Sequence, residues 1–434
     1  MRAKLLHFVT FPSFHMRSPQ PALTPAERPP VGLFSAIVIV AALGYFVDIY
    51  DLVLFSIIRV KSLNGIGITE PTAVTDQGLN LLSMQMWGML LGGILWGVLG
   101  DKRGRLSVLF GSILLYSLAN IANGFVQTIE QYGWLRLIAG VGLAGELGAG
   151  ITLVAETLPK EKRGYGTMIV ASVGVSGAMV AYLVGQEFGW RNAYFIGGGL
   201  GLGLLALRAG VFESGMFESA KESNVSRGNF LSLFSNGPRF YKYLRCLLVG
   251  TPFWYLVGIL ITFAPEFGKQ FGLQGPVTGG LSIFWCYFGL TLGDFTSGGL
   301  SQVFKSRNKT LQVFIISSAF TVAAYLFALN GASTTAFYFV CFMIGFTGGF
   351  WALFVTVAAE QFGTNVRSTV ATTAPNFARG ATVIIAPVYK MLKANPSLGM
   401  VGAAGIIGAV LLALALFSAS TLPETYGKDL DYVE

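Results

Sequence analysis

The sequence predicts an all-α membrane protein with twelve transmembrane helices in two pseudo-symmetric bundles of six. Three observations carry that prediction. Of its 434 residues, 53% are hydrophobic and only 12% charged, half the roughly 25% charge of a soluble domain; mean hydropathy is +0.63. Twelve apolar runs follow one another, each near the 20 or so residues a bilayer crossing needs. Lys and Arg gather on alternate connections between them. The 56 glycines suit helices that pack backbone to backbone in lipid.

Residues 1–31 read as a cytoplasmic, disordered tail: Arg2, Lys4, Arg17 and Arg28 precede or interrupt a proline-rich stretch from Pro19 to Pro30. The tail has neither the apolar core nor the small-residue cleavage site of a secretory signal. Met16 is a possible alternative start, so translation of residues 1–15 is left open. Spans are expected near 32–58, 77–100, 107–126, 131–155, 165–186 and 191–208, forming a first bundle over 32–208. A polar central loop covers 209–242. Six further spans near 243–265, 276–299, 311–330, 335–359, 368–390 and 397–420 form a second bundle over 243–420, and 421–434 is a cytoplasmic tail.

With the N-terminal tail inside and sides alternating at each span, 21 of the 29 Lys and Arg fall on cytoplasmic segments. Arg208 is counted there, in the central loop. Six fall on outer loops, Arg59 among them, while Arg136 and Arg379 lie within spans. That asymmetry obeys the positive-inside rule. The net charge of +8 is therefore a topology signal, and no nucleic-acid partner is needed to explain it. Cys246, Cys286 and Cys341 sit in apolar runs without paired spacing, so they read as small buried hydrophobes.

The halves echo each other. Glu156 and Arg163 follow the fourth span, and Glu360 and Arg367 follow the tenth with the same spacing, 204 residues later. The sharpest motif follows span two: Gly97-Val-Leu-Gly-Asp101-Lys-Arg-Gly104-Arg105. Gly97 permits close helix contact, Gly104 a tight turn, and Asp101 with the arginines charge-assisted bonds across helix ends. It resembles the G-x-L-x-D-x-x-G-R loop of the major facilitator superfamily. Arg136 with Gly140 and Gly142 resembles that family's fourth-helix R-x-x-x-G-x-G. Glu156-Thr-Leu-Pro159 through Arg163-Gly164 resembles its E-x-x-P-x-x-x-R-G, and Pro423-Glu424-Thr425 resembles the ending of its sugar-porter-like branch. The resemblance covers the chain from about residue 32.

Two departures stand out. In the second half, Gln302 and Lys305 occupy the places of the loop's Asp and second Gly, with Asp294 a candidate to compensate. The fifth span reads Gly174-Val-Ser-Gly177-Ala, without the Gly-Pro pair of drug-proton antiporters.

An ionisable group at mid-bilayer costs about 2.5–3.5 kcal/mol on insertion scales and usually lines a cavity or pairs. Asp48 and Asp51, three apart, are expected on one face of span one, with Arg136 of span four as an ion-pair partner for either. Their Asp-Ile-Tyr-Asp spacing resembles the D-x-x-D of aromatic-acid and phosphate proton symporters. The functional reading is thus a proton-coupling set of Asp48, Asp51, Arg136 and Glu146; the plainer one is a structural pair with a spare Asp. Arg379, three residues after Asn376 in span eleven, suggests an anion partner, because guanidinium suits carboxylate or phosphate. Its plainer reading is a packing Arg bonded to backbone or to Asp294. Trp254 and Tyr255 on span seven are the favoured aromatic contacts, ahead of Trp285, Tyr287 and Trp351.

The resemblance implies a non-enzymatic secondary transporter, with two halves rocking about a midplane site. It would import a small organic anion with protons, held by Arg379, Asn376, Trp254 and Tyr255. The cytoplasmic gate would use Gly97, Asp101, Gly104, Arg105, Glu156, Arg163, Glu360 and Arg367. No cofactor is expected beyond the proton motive force, and no metal; the partners are solute, protons and lipid, and the protein is expected to act as a monomer. A bacterial inner membrane is expected, with both termini cytoplasmic. The rivals are a proton-coupled sugar porter and, in another class, a receptor that keeps the fold without transport. An intramembrane enzyme is the weakest idea, since both histidines, His7 and His15, lie in the tail.

Overall fold

Why a chain this apolar folds at all in lipid comes down to backbone hydrogen bonds, which helices satisfy internally. The computed structural model describes residues 32–103, 105–146, 148, 150, 154, 158, 163–213, 230–234 and 236–428, and these are mostly helical with no strand among them. Span one is Ala36–Gly65, span two Pro71–Arg103, span three Arg105–Asn123, and span four begins with Ile129–Leu143. Span five is Arg163–Val175 followed by Gly177–Glu187, and span six is Gly189–Glu213. Span seven runs Gly237–Tyr255, a π-helical turn Leu256–Ile261, then Ala264–Gln270. Spans eight and nine are Gly279–Val303 and Arg307–Phe327. Span ten is Thr334–Gly348 with Trp351–Glu360, span eleven Thr364–Gly380 with Thr382–Lys393, and span twelve Gly399–Thr421. The side of the bundle that carries both ends of the described chain is called inner below, and the opposite side outer.

The repeat is written in glycine. Gly88 and Gly92 of span two lie so close to span four that an added Cβ would sit 2.0 Å from the Leu137 carbonyl and 2.3 Å from that of Val141. Their counterparts 201 residues later, Gly289 and Gly293 of span eight, press on the Phe342 and Phe346 carbonyls of span ten at 2.0 and 2.1 Å. Gly140 and Gly345 repay the contact from the other side, against the Gln85 and Cys286 carbonyls. Between lipid-embedded helices there is little hydrophobic drive, so close van der Waals approach is what holds them together. Gly97 is different: a Cβ there would meet only Thr373, at an ordinary 3.8 Å.

The halves meet along two seams: span two on span eleven, where Gly93 faces Asn376, and span five on span eight, where Tyr182 covers Gly280. At the outer end they are also tied by charge. Arg59, expected in an outer loop, is buried within span one and bonds Glu266 of span seven at 2.7 Å, under the ring of Phe263. Lys390 meets Asp76 at 3.2 Å nearby.

The inner end of the second half corrects one expectation. Asp294 does not replace the missing loop Asp; it accepts the Ala352 N–H at 3.2 Å. The carboxylate that organises this loop is Glu424, which accepts the Ser306 hydroxyl and the backbone N–H groups of Arg307 and Asn308, the start of span nine. Thr425 then bonds Glu360 at 2.7 Å, and Arg307 approaches Glu360 to 3.6 Å. The Pro-Glu-Thr ending is thus a helix cap and tether, a role that does not depend on any solute.

Candidate functional site

Apolar spans expose their purpose where they bury charge. Asp48, Asp51, Arg136, Glu146, Arg208 and Arg379 are all at most 1% exposed. Several kcal/mol per ion stand against such burial unless partners are found, so the partners define the site.

Asp48 and Asp51 do not share a face in effect. Three helical steps rotate by about 300°, leaving them about 60° apart, and neighbouring spans divide them. Asp48 turns to the second half, where its Oδ2 lies 4.0 Å from Nη2 of Arg379. Asp51 turns into the first half: a Cβ on Gly197 of span six would touch its Oδ1 at 2.3 Å, and Asp48, Arg136 and the Asn120 amide act on it. The expected ion pair of Arg136 with Asp48 or Asp51 is replaced. Arg136 donates to the side-chain amide oxygen of Gln85 and lies 4.7 Å over the Phe55 ring.

Glu146 is also committed elsewhere. It pairs with Arg208 through both oxygens, and the pair sits on Gly44, where any side chain would collide with it. Arg208 was expected in the central loop; span six instead continues to Glu213 and carries it inside. Since the pair is one turn below Asp48 on span one, Glu146 still contributes field at Asp48.

Arg379 occupies the junction between halves. Its guanidinium carbon is 5.7 Å from the centroids of both Trp254 and Trp351, whose rings meet edge to face at 6.2 Å. The expected alternative partner, Asp294, does not hold it. Tyr287 of span eight and Tyr45 of span one also face the Arg379–Asp48 pair. Nε and Nη1 of Arg379, both Asp48 oxygens, Nε1 of Trp254 and the Tyr287 hydroxyl are buried without hydrogen-bond partners. This is a cationic seat with aromatic walls, and its internal carboxylate stands off at ion-pair range without a hydrogen bond.

Other expected residues lie off this seat. Asn376 donates to the carbonyls of Ala144 at 2.7 Å and Thr372 at 2.9 Å, so it fastens span eleven to span four. Tyr255 points the opposite way from Trp254 and donates to the Ala404 carbonyl of span twelve at 2.8 Å. Trp285 is 36% exposed on the outside of the bundle. Of the gate residues, Gly104 and Glu156 and the side chains of Asp101, Arg105 and Arg163 lie outside the described residues. Glu360 is held by Arg307 and Thr425, and Arg367 donates from Nε to the Phe362 carbonyl at 3.2 Å. Sequence reasoning missed Tyr45 and ranked Tyr287 and Trp351 low; aromatics in spans are too common to single out without helix rotation.

The family model described as Major Facilitator Superfamily matches residues 34–387. The chain is 27% identical over 409 residues to a probable 4-methylmuconolactone transporter of Cupriavidus pinatubonensis, covering 90% of each. It is 26% identical over 353 residues to a putative niacin/nicotinamide transporter of Bacillus subtilis, covering 78% of this chain and 84% of that one. Among solved structures, the proton:xylose symporter XylE superposes with a TM-score of 0.69 at 16% identity, covering 91% and 97%. That last likeness is one of fold.

Proposed function

The chain belongs to the major facilitator superfamily as a multi-pass transporter of small metabolites rather than an enzyme, and from that premise we propose that it carries a small organic anion inward together with protons. The observation that carries this reading is Arg379: a buried guanidinium at the junction of the halves, with two unpartnered N–H groups and two indole walls. Guanidinium binds carboxylate through paired N–H donors, and flat aromatic walls favour a flat solute. Of the compounds in the two relatives' names, 4-methylmuconolactone and niacin are small rings bearing a carboxylate and nicotinamide is a small neutral ring; the first two support the same class.

Asp48 supplies the coupling. Without solute it is the only carboxylate within ion-pair range of Arg379 among the described residues. A solute carboxylate that takes Arg379 would leave the Asp48 charge buried and unpaired, so a proton carried on Asp48 keeps the charges in the seat balanced. The halves then rock about the seat, with the Arg59–Glu266 tie closing the outer side and the loops at Asp101–Arg105 and Glu156–Arg163 closing the inner one. A proton entering down 100 mV contributes about 2.3 kcal/mol, which a monoanion entering beside it cancels, so accumulation draws on the pH difference or on a second proton. A bacterial inner membrane with both ends cytoplasmic is part of the proposal, and the positive-inside asymmetry supports that orientation.

The test is uptake into proteoliposomes of nicotinate, benzoate and xylose under an inward proton gradient. The expected result is accumulation of a carboxylate that Arg379→Ala reduces by at least about a hundredfold, the scale of a lost charge-assisted pair. Xylose accumulation that is indifferent to Arg379→Ala would overturn the anion reading in favour of a sugar porter.

A further inference from the structure

Span three buries a row of polar side chains that the solute site does not use. Tyr116, Ser117, Asn120 and Asn123 fall at helical positions i, i+1, i+4 and i+7, one stripe about 10 Å long. All four are at most 1% exposed. The Tyr116 and Ser117 hydroxyls and both ends of the Asn123 amide have no hydrogen-bond partner, and the Asn120 amide and the Asp51 carboxylate have none but each other. A buried polar group left unpaired costs about 1–3 kcal/mol, so a file of them needs an occupant that both donates and accepts.

Neighbouring glycines let span six come close against these polar groups. Span six faces the stripe with Gly197, Gly198 and Gly201; a Cβ on Gly201 would fall 2.0 Å from the Ser117 hydroxyl, and one on Gly197 would strike Asp51. The stripe starts at the outer end of span three, where Asn123 adjoins the loop held by Arg191 through the Gly124 and Val126 carbonyls, each at 2.9 Å. Midway, Asn120 faces Asp51. At the inner end, Tyr116 lies among Asp51, Asp48, Glu146 and Arg208. The other ionisable groups acting on Asp51 are Arg136, Tyr50 and Tyr194.

We infer that this stripe is a hydrated proton-access file inside the first half, leading from the outer surface past Asn123 and Asn120 to Asp51, apart from the solute seat at Arg379. Water is the small molecule that satisfies two to four mixed donors and acceptors in so narrow a space. A proton passes along it by transfer from one water oxygen to the next and finally forms an O–H bond on the Asp51 carboxylate. The solute thus travels between the halves while its proton enters through one of them, and Asp51 relays to Asp48 one turn away. The proton role rests on the symport reading; hydration of the file does not.

Two measurements separate these. In a background with Cys246, Cys286 and Cys341 changed to Ala, Asn120→Cys and Asn123→Cys are exposed to Ag⁺ from the outer side, with Leu118→Cys on the lipid face as control. Both file cysteines should react and the control should not; silent cysteines at both file positions overturn the file. Proton-driven nicotinate accumulation and nicotinate exchange are then compared in Asn120→Leu and Asn120→Ser. The apolar Leu variant should lose accumulation by at least about tenfold with exchange within about twofold, and the small Ser variant should retain both. Full coupling in Asn120→Leu overturns the proton route. Wild-type protein that exchanges nicotinate but ignores the proton gradient overturns the symport reading, and the proton role with it, even where the file cysteines react.

Discussion

Span two rests on span four through Gly88, Gly92 and Gly140, and span eight rests on span ten through Gly289, Gly293 and Gly345, with the same backbone carbonyls in corresponding places. The halves part company in what they bury. The first holds Asp48, Asp51, Arg59, Arg136, Glu146 and Arg208; the second holds Asp294 and Arg379 beside Trp254, Tyr287 and Trp351. Packing repeats because lipid poses the same problem to both halves. Charge does not repeat, because each buried ion must answer to one task. On our reading the first half handles protons and the second presents the cation that holds the solute.

The largest effect expected from breaking this asymmetry is at the Glu146–Arg208 pair. Glu146→Ala leaves a guanidinium buried and uncompensated, which typically costs about 3–5 kcal/mol, whereas replacing both partners with apolar residues is often close to neutral. Thermal unfolding in detergent should therefore drop steeply for Glu146→Ala and recover in Glu146→Leu/Arg208→Met. If the double variant also keeps full proton-driven uptake, the pair is scaffolding beneath Asp48. If it folds but uncouples, Glu146 belongs to the proton machinery.

The next test sharpens what the halves have in common. Gly140→Val and Gly345→Val each drive a side chain into a backbone carbonyl, at 2.1 and 1.7 Å from the first added carbon. Overpacking of this kind costs about 1–3 kcal/mol, with backbone on both sides at the upper end. Equivalent losses of stability at the two positions are expected. A large loss at one and none at the other would show that the repeat is one of sequence alone.

These contrasts also mark what the sequence makes legible. Ionisable residues stand out against apolar runs, so Asp48, Asp51, Arg136, Glu146 and Arg379 are visible by inspection. Their partners are not, because a rotation of a few tens of degrees about a helix axis decides them, and packing sets that rotation. Hence Arg136 goes to Gln85 and not to an aspartate, and Trp254 faces Arg379 while the adjacent Tyr255 faces span twelve. Arg59 and Arg208 read as loop residues because cations near span ends usually snorkel to the interface; here each has an acid to meet inside the bundle. Ser117, Asn120 and Asn123 are silent in a charge count, although their helical spacing with Tyr116 is a signal that a search for polar stripes detects.

The smallest expected effect concerns the inner end of the second half. In the second half Glu424 does the work of the absent loop Asp. Partial burial pushes its carboxyl up, but the Ser306 hydroxyl and the N–H groups of Tyr426, Arg307 and Asn308 outweigh that and hold it below the ordinary 4.5. A carboxylate capping the positive end of a helix contributes about 0.3–1 kcal/mol. Because the folded value is depressed, this contribution is complete above 4.5 and disappears as the pH falls through the folded value. Glu424→Gln should therefore unfold at a slightly lower temperature than wild type at neutral pH, with the gap closing only in the acid range. A gap that persists unchanged at about pH 3, well below the ordinary carboxylate range, would mean that Glu424 acts through shape and not through charge. The second half's loop would then be held by Thr425 and Arg307 on Glu360, in place of a transplanted carboxylate.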